Sequence, residues 1–283
     1  MLTRQIIEEA VNRALTEDAP WGDATSEYLI PADAVATALL VARDGGVMAG
    51  GAVFAAAFTQ VEASVQVVLH IADGETFVPG QKLATVTGPA RAVLTGERVA
   101  LNFVQRMTGI ATHTAQYVAA IAGTKARIVD TRKTTPGLRA FEKYAVRCGG
   151  GHNHRYGLSD AVMAKDNHLA ILTRGGKDLT TELKRVRAEL GHTTHLEVEV
   201  DRLDQIAAVL EAGVDTIMLD NFNLDDLRAG VEMIAGRAVV EASGGVNMNT
   251  VAAIASTGVD VISVGALTHQ IHSLDLGLDV EIH

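Results

Sequence analysis

ARIVDT (126–131), DAVMAKDN (160–167), HLEVEVD (195–201), VDTIMLDN (214–221), AVVEASGG (238–245) and VDVISVGA (259–266) are the six runs on which the reading of the fold turns. Each is short and apolar, the pattern of a strand buried on both faces. Helical stretches separate most of them, at 177–189, 203–210, 224–234 and 248–256. Such alternation implies parallel strands joined by right-handed crossovers. Two units echo one another, EAGVDTIMLDN (211–221) and STGVDVISVGA (256–266), each a helix end, a glycine and a strand. None of the six reads as an edge strand, and no G-x-G-x-x-G follows a strand, so a closed or nearly closed βα-barrel is favoured over an open doubly wound sheet. Chemistry in a barrel belongs at the carboxyl ends of the strands. There the runs finish in Thr131-Arg132-Lys133, Lys165-Asp166-Asn167-His168, Glu199, Asp220-Asn221, Ser243-Gly244-Gly245 and Gly265-Ala266. Packing alone gives a core strand no reason to end this way six times.

The first hundred residues differ. VATALLVA (35–42), GAVFAAAF (51–58), VQVVLHIA (65–72) and QKLATVTG (81–88) are broken by turns such as Asp73-Gly74 and Pro79-Gly80, and read as strands with one or two helices. Residues 92–104 and 112–121 have helical spacing, with Gly109 as a break between them. The chain has 283 residues, 48% hydrophobic and 20% charged, which suits one large α/β domain or a barrel with a smaller companion domain. No low-complexity linker divides it, so any two domains are expected to pack closely.

The formal net charge of −10 argues against a nucleic-acid binder. The amino-terminal helix (Ile6, Ile7, Ala10, Val11, Ala14, Leu15) is interrupted by Arg4, Glu8, Glu9 and Arg13, unlike the core of a signal peptide. The uncharged run Gly45–Val61 has 17 residues and several glycines, short for a membrane span of roughly 20. One cysteine, Cys148, excludes an internal disulfide and fits a reducing cytoplasm.

Against the acidic whole, one stretch is basic: Lys125, Arg127, Arg132, Lys133, Arg139, Lys143, Arg147, Arg155 and Lys165 oppose only Asp130, Glu142 and Asp160. A solvated face would explain it; so would a concave site for a small polyanion. Arginine's planar fork matches a carboxylate, so Arg132, Arg139 and Arg155, with Lys133, His154 and Lys165, suit a ligand with more than one acid group. Ser243-Gly244-Gly245 and Val264-Gly265-Ala266 close the last two strands, where barrels often cradle phosphate; together they favour a phosphate site over two tight turns. Glu199 and Asp220 close neighbouring strands. They could hold ribose hydroxyls, bind Mg2+, transfer protons or pair with the nearby cations. Asp215 and Asp260, in the two GVD turns, read as helix–strand connectors. His152-x-His154 without a third ligand is weak evidence for zinc, and Cys148 has no assigned base, so it reads as a small buried residue.

At this point the chain resembles a known family. DTRKTTPGLR (130–139), KYAVRCGGGHNHR (143–155), KDNH (165–168), EVEVD (197–201), MLDN (218–221) and EASGGV (241–246) look like the signature series of quinolinate phosphoribosyltransferases, and GERVALNFVQRMTGIAT (96–112) is similar to the segment before their barrel. Thr135 departs from the pattern, standing where leucine is expected, and Gln270 where serine is commoner. The resemblance implies an α/β fold: an N-terminal α/β sandwich domain (1–110, joined by the tail 268–283) packed on an incomplete βα-barrel of fewer than eight parallel strands (111–267). It implies that Arg132, His154, Arg155 and Lys165, with Thr131, form the quinolinate pocket, and that Arg98 is supplied across a homodimer interface, with higher assembly open. Lys133, Glu199 and Asp220 would face phosphoribosyl diphosphate and Mg2+, held directly or indirectly by the two acids. Ser243, Gly244, Gly245, Val264, Gly265 and Ala266 would cradle the 5′-phosphate. Lys133, Lys165, Glu199 and Asp220 are the candidate catalytic groups, and no organic cofactor is expected. A molybdenum-transport-associated homologue of the same fold is the nearest alternative. A Schiff-base aldolase using Lys133 or Lys165 and a non-enzymatic binding protein are more distant ones.

Overall fold

The computed structural model describes residues 2–283. In chain order the elements are α1 (Arg4–Asp18), α2 (Ala24–Leu29), β1 (Val35–Ala42), β2 (Gly46–Val47), α3 (Gly51–Thr59), β3 (Gln66–Leu69), β4 (Thr76–Phe77), β5 (Lys82–Pro89), α4 (Ala90–Ala120), β6 (Arg127–Val129), α5 (Arg139–Cys148), β7 (Ala161–Ala164) and α6 (Asp166–Leu172). There follow α7 (Leu179–Glu189), β8 (His195–Val200), α8 (Ile206–Glu211), β9 (Thr216–Asp220), α9 (Leu224–Ile234), β10 (Val239–Ser243), α10 (Val251–Ala255), β11 (Val261–Ser263), α11 (Ala266–His269) and β12 (Leu276–Ile282). No helix among the described residues is long and apolar enough to cross a membrane.

The chain divides into two compact units. The first takes the residues up to Ala115, then Thr135–Gly150 and Gln270–His283. Its sheet has the order β12-β1-β5-β3, antiparallel throughout, so the carboxyl-terminal segment is a strand of the amino-terminal layer. Alternation in β1 sends Ala36, Ala38, Leu40 and Ala42 to the buried face. GAVFAAAF forms α3, whose Phe54 and Phe58 are fully buried and meet edge to face with centroids 5.1 Å apart.

Two expectations are corrected here. Helix α4 runs unbroken for 31 residues through Gly109. A Cβ on Gly109 would collide with the carbonyl oxygen of His272. The tail lies along this helix, with Leu274 N–H donating to the Gln105 carbonyl (3.0 Å) and Gln105 Nε2 to the Leu276 carbonyl (2.7 Å). The glycine is therefore a seat for backbone, not a helix stop. Residues 135–150, expected in the barrel, belong to the first unit. Helix α5 is held there because Phe141 packs on Phe103 (5.5 Å), Tyr144 donates to Asp73 (2.8 Å) and buried Glu142 pairs with Arg106 (2.6 Å). Thr135 joins that network, accepting from Arg106 Nη2 (2.7 Å) and donating its amide to Glu142 (3.1 Å), so the hydroxyl that departs from the family pattern has a partner.

The second unit, Gln116–Thr134 with Gly151–His269, is built on a six-stranded parallel sheet of order β6-β11-β10-β9-β8-β7. All six runs read from the sequence are its strands. Register puts His195, Glu197, Glu199, Thr216, Met218, Asp220, Glu241 and Ser243 on one face. Leu196, Val198, Ile217 and Leu219 face the helices; Leu219 lies against α9, where a Cβ on Gly230 would be 2.8 Å from its Cδ1. The sheet curls: His154, beside the outer strand β6, reaches Glu197 of β8 (3.2 Å) and Glu241 of β10 (3.5 Å). It does not close, and both β6 and β7 are edges, contrary to the expectation of none. Beyond β6, among the described residues, stands only the single parallel bridge Val129↔His152. The two GVD turns do the same work: Asp215 accepts from Leu196 N–H (2.7 Å) and Asp260 from Val240 N–H (2.9 Å), each tying its turn to the neighbouring strand.

Gly109→Ala tests the account of α4. In a free helix that change stabilises by about 1 kcal/mol. Here overpacking against His272 should instead cost about 1–3 kcal/mol and lower the melting temperature; a rise would show that the tail does not need this seat.

Candidate active site

Several charged residues of the second unit stand at the carboxyl ends of the parallel strands. After β6 come Thr131, Arg132 and Lys133, with the Lys133 amide donating to Thr131 Oγ1 (3.0 Å). Lys165 directly follows β7, and its ammonium lies 2.6 Å from Glu199 Oε2 on β8. The sequence reading put these two on opposite sides of the ligand; the structure pairs them. On the neighbouring strand β9, Asp220 occupies the inward position one pleat beyond Met218, the register partner of Glu199. Asp220 in turn is opposite Ser243 of β10.

The glycine turns close this rim. Gly244 (φ 89°) and Gly245 (φ 63°) adopt left-handed backbone, which favours glycine. A Cβ on Gly244 would also run into the side chain of Asn221, itself left-handed (φ 58°), whose amide donates to the Ser243 carbonyl (2.8 Å). A Cβ on Gly265 would stand 3.1 Å from Lys133 Cδ, so the lysine stem passes directly over the Val264-Gly265-Ala266 turn. The rim thus places cations and peptide N–H groups side by side.

His154 and Arg155 arrive on the segment that bridges β6. Asp130, fully buried, fixes that segment by accepting from Asn153 Nδ2 (2.6 Å) and from the His154 amide (2.9 Å). Arg155 is turned inward, donating to the Ala161 carbonyl (3.2 Å) and lying 3.4 Å from the Met163 sulfur. His154 lies between two glutamates the sequence reading did not single out. Glu197 and Glu241 are each 3% exposed, and Oε1 of each has no hydrogen-bond partner among the described residues. Their other oxygens face His154 Nε2. The alternation in EVEV was the available signal, since it sends Glu197 and Glu199 to the same face.

Two influences compete for the His154 proton. The Arg155 amide points at Nδ1 from 2.8 Å, a contact that suits an unprotonated nitrogen and is worth about 0.5–1.5 kcal/mol. Each charge-assisted bond to a carboxylate is worth about 1.5–3 kcal/mol, and buried carboxylates without a counter-charge cost several more. Burial alone would lower the ring's pKa, but the hydrogen bonds to Glu197 and Glu241 and their charges outweigh it and push it up to about 10. The charged ring wins.

Two of the expected residues belong to the first unit: Arg98, exposed on α4, and Arg139, the first residue of α5. Cys148 is held as a thiol, its pKa pushed up to about 12 chiefly by burial and by Asp73.

An incomplete parallel barrel whose rim sets cations and glycine turns against paired acids defines a barrel enzyme for small phosphorylated, polyanionic substrates. Residues 23–108 match the N-terminal domain model of quinolinate phosphoribosyl transferase and residues 110–279 its C-terminal domain model. A nicotinate-nucleotide pyrophosphorylase (carboxylating) from Mycobacterium leprae is 44% identical over 278 residues, covering 96% of each chain. The crystal structure of NadC from Streptococcus pyogenes matches with a TM-score of 0.95 at 39% identity over 100% of this chain and 99% of that one. That of the nicotinate-nucleotide pyrophosphorylase from Francisella tularensis matches at 0.91 and 36%, over 99% and 98%. The chain belongs to the quinolinate phosphoribosyltransferase family.

Because the His154 pKa is higher in the folded chain (about 10) than its ordinary 6.5, its ion pairs stabilise fully below pH 6.5, and that contribution is lost as pH rises through 10. The melting-temperature deficit of Glu241→Gln should therefore be largest near pH 6.5 and shrink by pH 10.5. A deficit constant with pH would show that Glu241 stabilises by packing alone.

Proposed function

We propose that this chain transfers the phosphoribosyl group of phosphoribosyl diphosphate to quinolinate, releasing pyrophosphate and CO2 and leaving nicotinate mononucleotide. Family membership over the full chain supports the reaction. The observation that carries it is the rim, where Arg132, Lys133 and Lys165 follow strands of the same parallel sheet as Ser243-Gly244-Gly245 and Gly265, with Lys133 Cδ 3.1 Å from where a Cβ on Gly265 would stand.

Arg132, Arg155, Lys165, His154 and Thr131 take the two pyridine carboxylates and hold the ring nitrogen in line with C1 of the ribose, an effect of orientation. Lys133, over the Val264–Ala266 turn, takes the sugar-phosphate side, and the amides of Ser243–Gly245 and Gly265–Ala266 take the 5′-phosphate. Glu199 and Asp220 present carboxylate oxygens on neighbouring strands, the hard donors Mg2+ prefers, and would hold it with the diphosphate. When bound, the ion neutralises charge on the departing pyrophosphate. Glu199 and Asp220 also suit the ribose hydroxyls and the positive charge that develops on the sugar. The nitrogen lone pair forms the bond to C1 as the bond from C1 to the diphosphate oxygen breaks. The bond from C2 to its carboxylate then breaks, CO2 leaves, and the electron pair stays on C2 beside the quaternised nitrogen. A proton completes the product, with Lys133 and Lys165 as its candidate donors. The substrate thus supplies its own electron sink, and no organic cofactor is required. The working unit is a homodimer in the cytoplasm, Arg98 of each subunit completing its neighbour's site.

Release of labelled CO2 and of pyrophosphate from carboxyl-labelled quinolinate, Mg2+ and phosphoribosyl diphosphate tests the reaction; absence of both overturns it. Arg155→Ala or Arg132→Ala should raise KM for quinolinate roughly tenfold to a hundredfold and leave that for phosphoribosyl diphosphate nearly unchanged. Equal losses for both substrates would contradict a divided pocket. Mixing inactive Arg98→Ala and Lys165→Ala subunits should restore part of the activity, and mixed dimers that stay inactive would show that Arg98 serves its own chain.

A further inference from the structure

The two lysines of the rim are held differently. The Lys165 ammonium is paired with Glu199 (2.6 Å), whereas that of Lys133 has no partner among the described residues. Lys133 is exposed, and its charge sits at the end of a flexible four-carbon stem. Such a side chain must be held at its root if the charge is to stand over one turn. The root is held on both sides. The Lys133 amide donates to Thr131 Oγ1 (3.0 Å), and its carbonyl accepts from Thr268 Oγ1 (2.6 Å). The first contact reaches back two residues; the second spans 135 residues of chain.

Thr268 is fully buried in α11, the short helix that begins at the Val264-Gly265-Ala266 turn. A threonine hydroxyl in a helix ordinarily turns back to the carbonyl one turn earlier. That carbonyl, of Gly265, lies 3.3 Å away and already accepts the amides of Thr268 (3.2 Å) and His269 (3.4 Å). A hydroxyl has one proton to give. The Lys133 carbonyl is nearer and has no other donor among the described residues, so it takes that proton. The strands beneath are neighbours: β6 and β11 pair through Ser263↔Val129, and the Val264 amide donates to the Val129 carbonyl (2.9 Å). Past that bond both segments leave the ladder, and the Thr268 hydroxyl ties them together again at the rim. The Lys133 stem then crosses Gly265, its Cδ 3.1 Å from where a Cβ there would stand.

We propose that Thr268 is a positioning residue: its hydroxyl, by holding the Lys133 carbonyl, locks the lysine over Val264–Ala266, so that the ammonium and the amides of the turn meet one phosphate-bearing ligand at a fixed spacing. The identity of that ligand, phosphoribosyl diphosphate, rests on the proposed function. Being fully buried, Thr268 acts through Lys133 and not on the ligand itself. Without the hydroxyl the Lys133 peptide is freed, and ordering the lysine again weakens binding. Arg155 and Lys165 stand on other segments, so the quinolinate side keeps its grip.

The test compares the full chain as wild type, as Thr268→Val, which keeps the shape and loses the hydroxyl, and as Thr268→Ser, which keeps the hydroxyl. With Mg2+ present, the Kd for phosphoribosyl diphosphate should rise roughly threefold to tenfold in the valine variant, the loss of one hydrogen bond. In the serine variant it should stay within about twofold of wild type. KM for quinolinate should change less than about twofold in both. In a Lys133→Met background, Thr268→Val should change the Kd by less than about twofold, because its lever is gone. An equal loss in both backgrounds, an equal loss for quinolinate, or a serine variant as weak as the valine one would assign Thr268 to packing and overturn the proposal. Amide hydrogen exchange of residues 131–134 gives a measure free of any ligand, expected faster in Thr268→Val and unchanged in Thr268→Ser. If the valine variant fails to fold, Thr268→Cys, whose thiol is a weak donor, takes its place with the same expectations. Wild type that binds phosphoribosyl diphosphate yet releases no CO2 from quinolinate would end the proposed reaction, and the binding constants would still decide the role of Thr268. Wild type that binds none leaves the exchange rates to decide: faster in the valine variant upholds the tie, equal rates end it.

Discussion

Parallel strands must each be returned by a crossover, and so all of them finish at the same rim. That constraint organises the second unit. Six runs separated by helices deliver their carboxyl ends to one circle, and residues far apart in sequence become neighbours there. Lys165 meets Glu199, Asp220 stands opposite Ser243, and Lys133 lies over Gly265 without any loop having to reach for its partner. Pleating supplies the rest. Because side chains alternate, one strand can bury Leu196, Val198 and Val200 under helices while it turns Glu197 and Glu199 inward.

This is also why so much was legible in advance. A strand buried on both sides has a compositional signature, and a polar ending departs from it visibly, so the six strands and nearly every rim residue could be read from the chain. What escaped reading has tertiary causes. Gly109 looked like a helix stop because glycine weakens helices in general; its actual reason is the carbonyl of His272, which no local pattern encodes. GAVFAAAF is apolar throughout, and such a run suits strand or helix equally. Helix α5 sits between two barrel segments in sequence, yet Phe103, Arg106 and Asp73 draw it into the other unit. Glu197 and Glu241 were passed over because they lie inside their runs rather than at the polar ends, and only the curl of the sheet reveals that a histidine comes to meet them.

The inner barrel illustrates how a protein retains charge where hydrocarbon would be more stable. A buried ion pair rarely adds net stability against an apolar replacement of similar volume. The cluster around His154 is therefore informative about selection for activity rather than for endurance, and the fully buried Asp130 that anchors the same segment fits that reading. Rigidity here comes from hydrogen bonds to backbone and side chain, which hold geometry more tightly than interchangeable apolar contacts.

The pairing of β1 with β12 bears on how the molecule is made. Arg43 and Asp279 are 236 residues apart along the chain and joined by an ion pair at the edge of that ladder. During synthesis the first sheet emerges early but lacks a strand until nearly all the remaining residues have left the ribosome. The barrel strands from β7 to β11 follow one another without interruption and can assemble as they appear. The layer begun first is thus completed last, its exposed β1 edge waiting on the nascent chain, and this is the interval in which a chaperone would have most to shield.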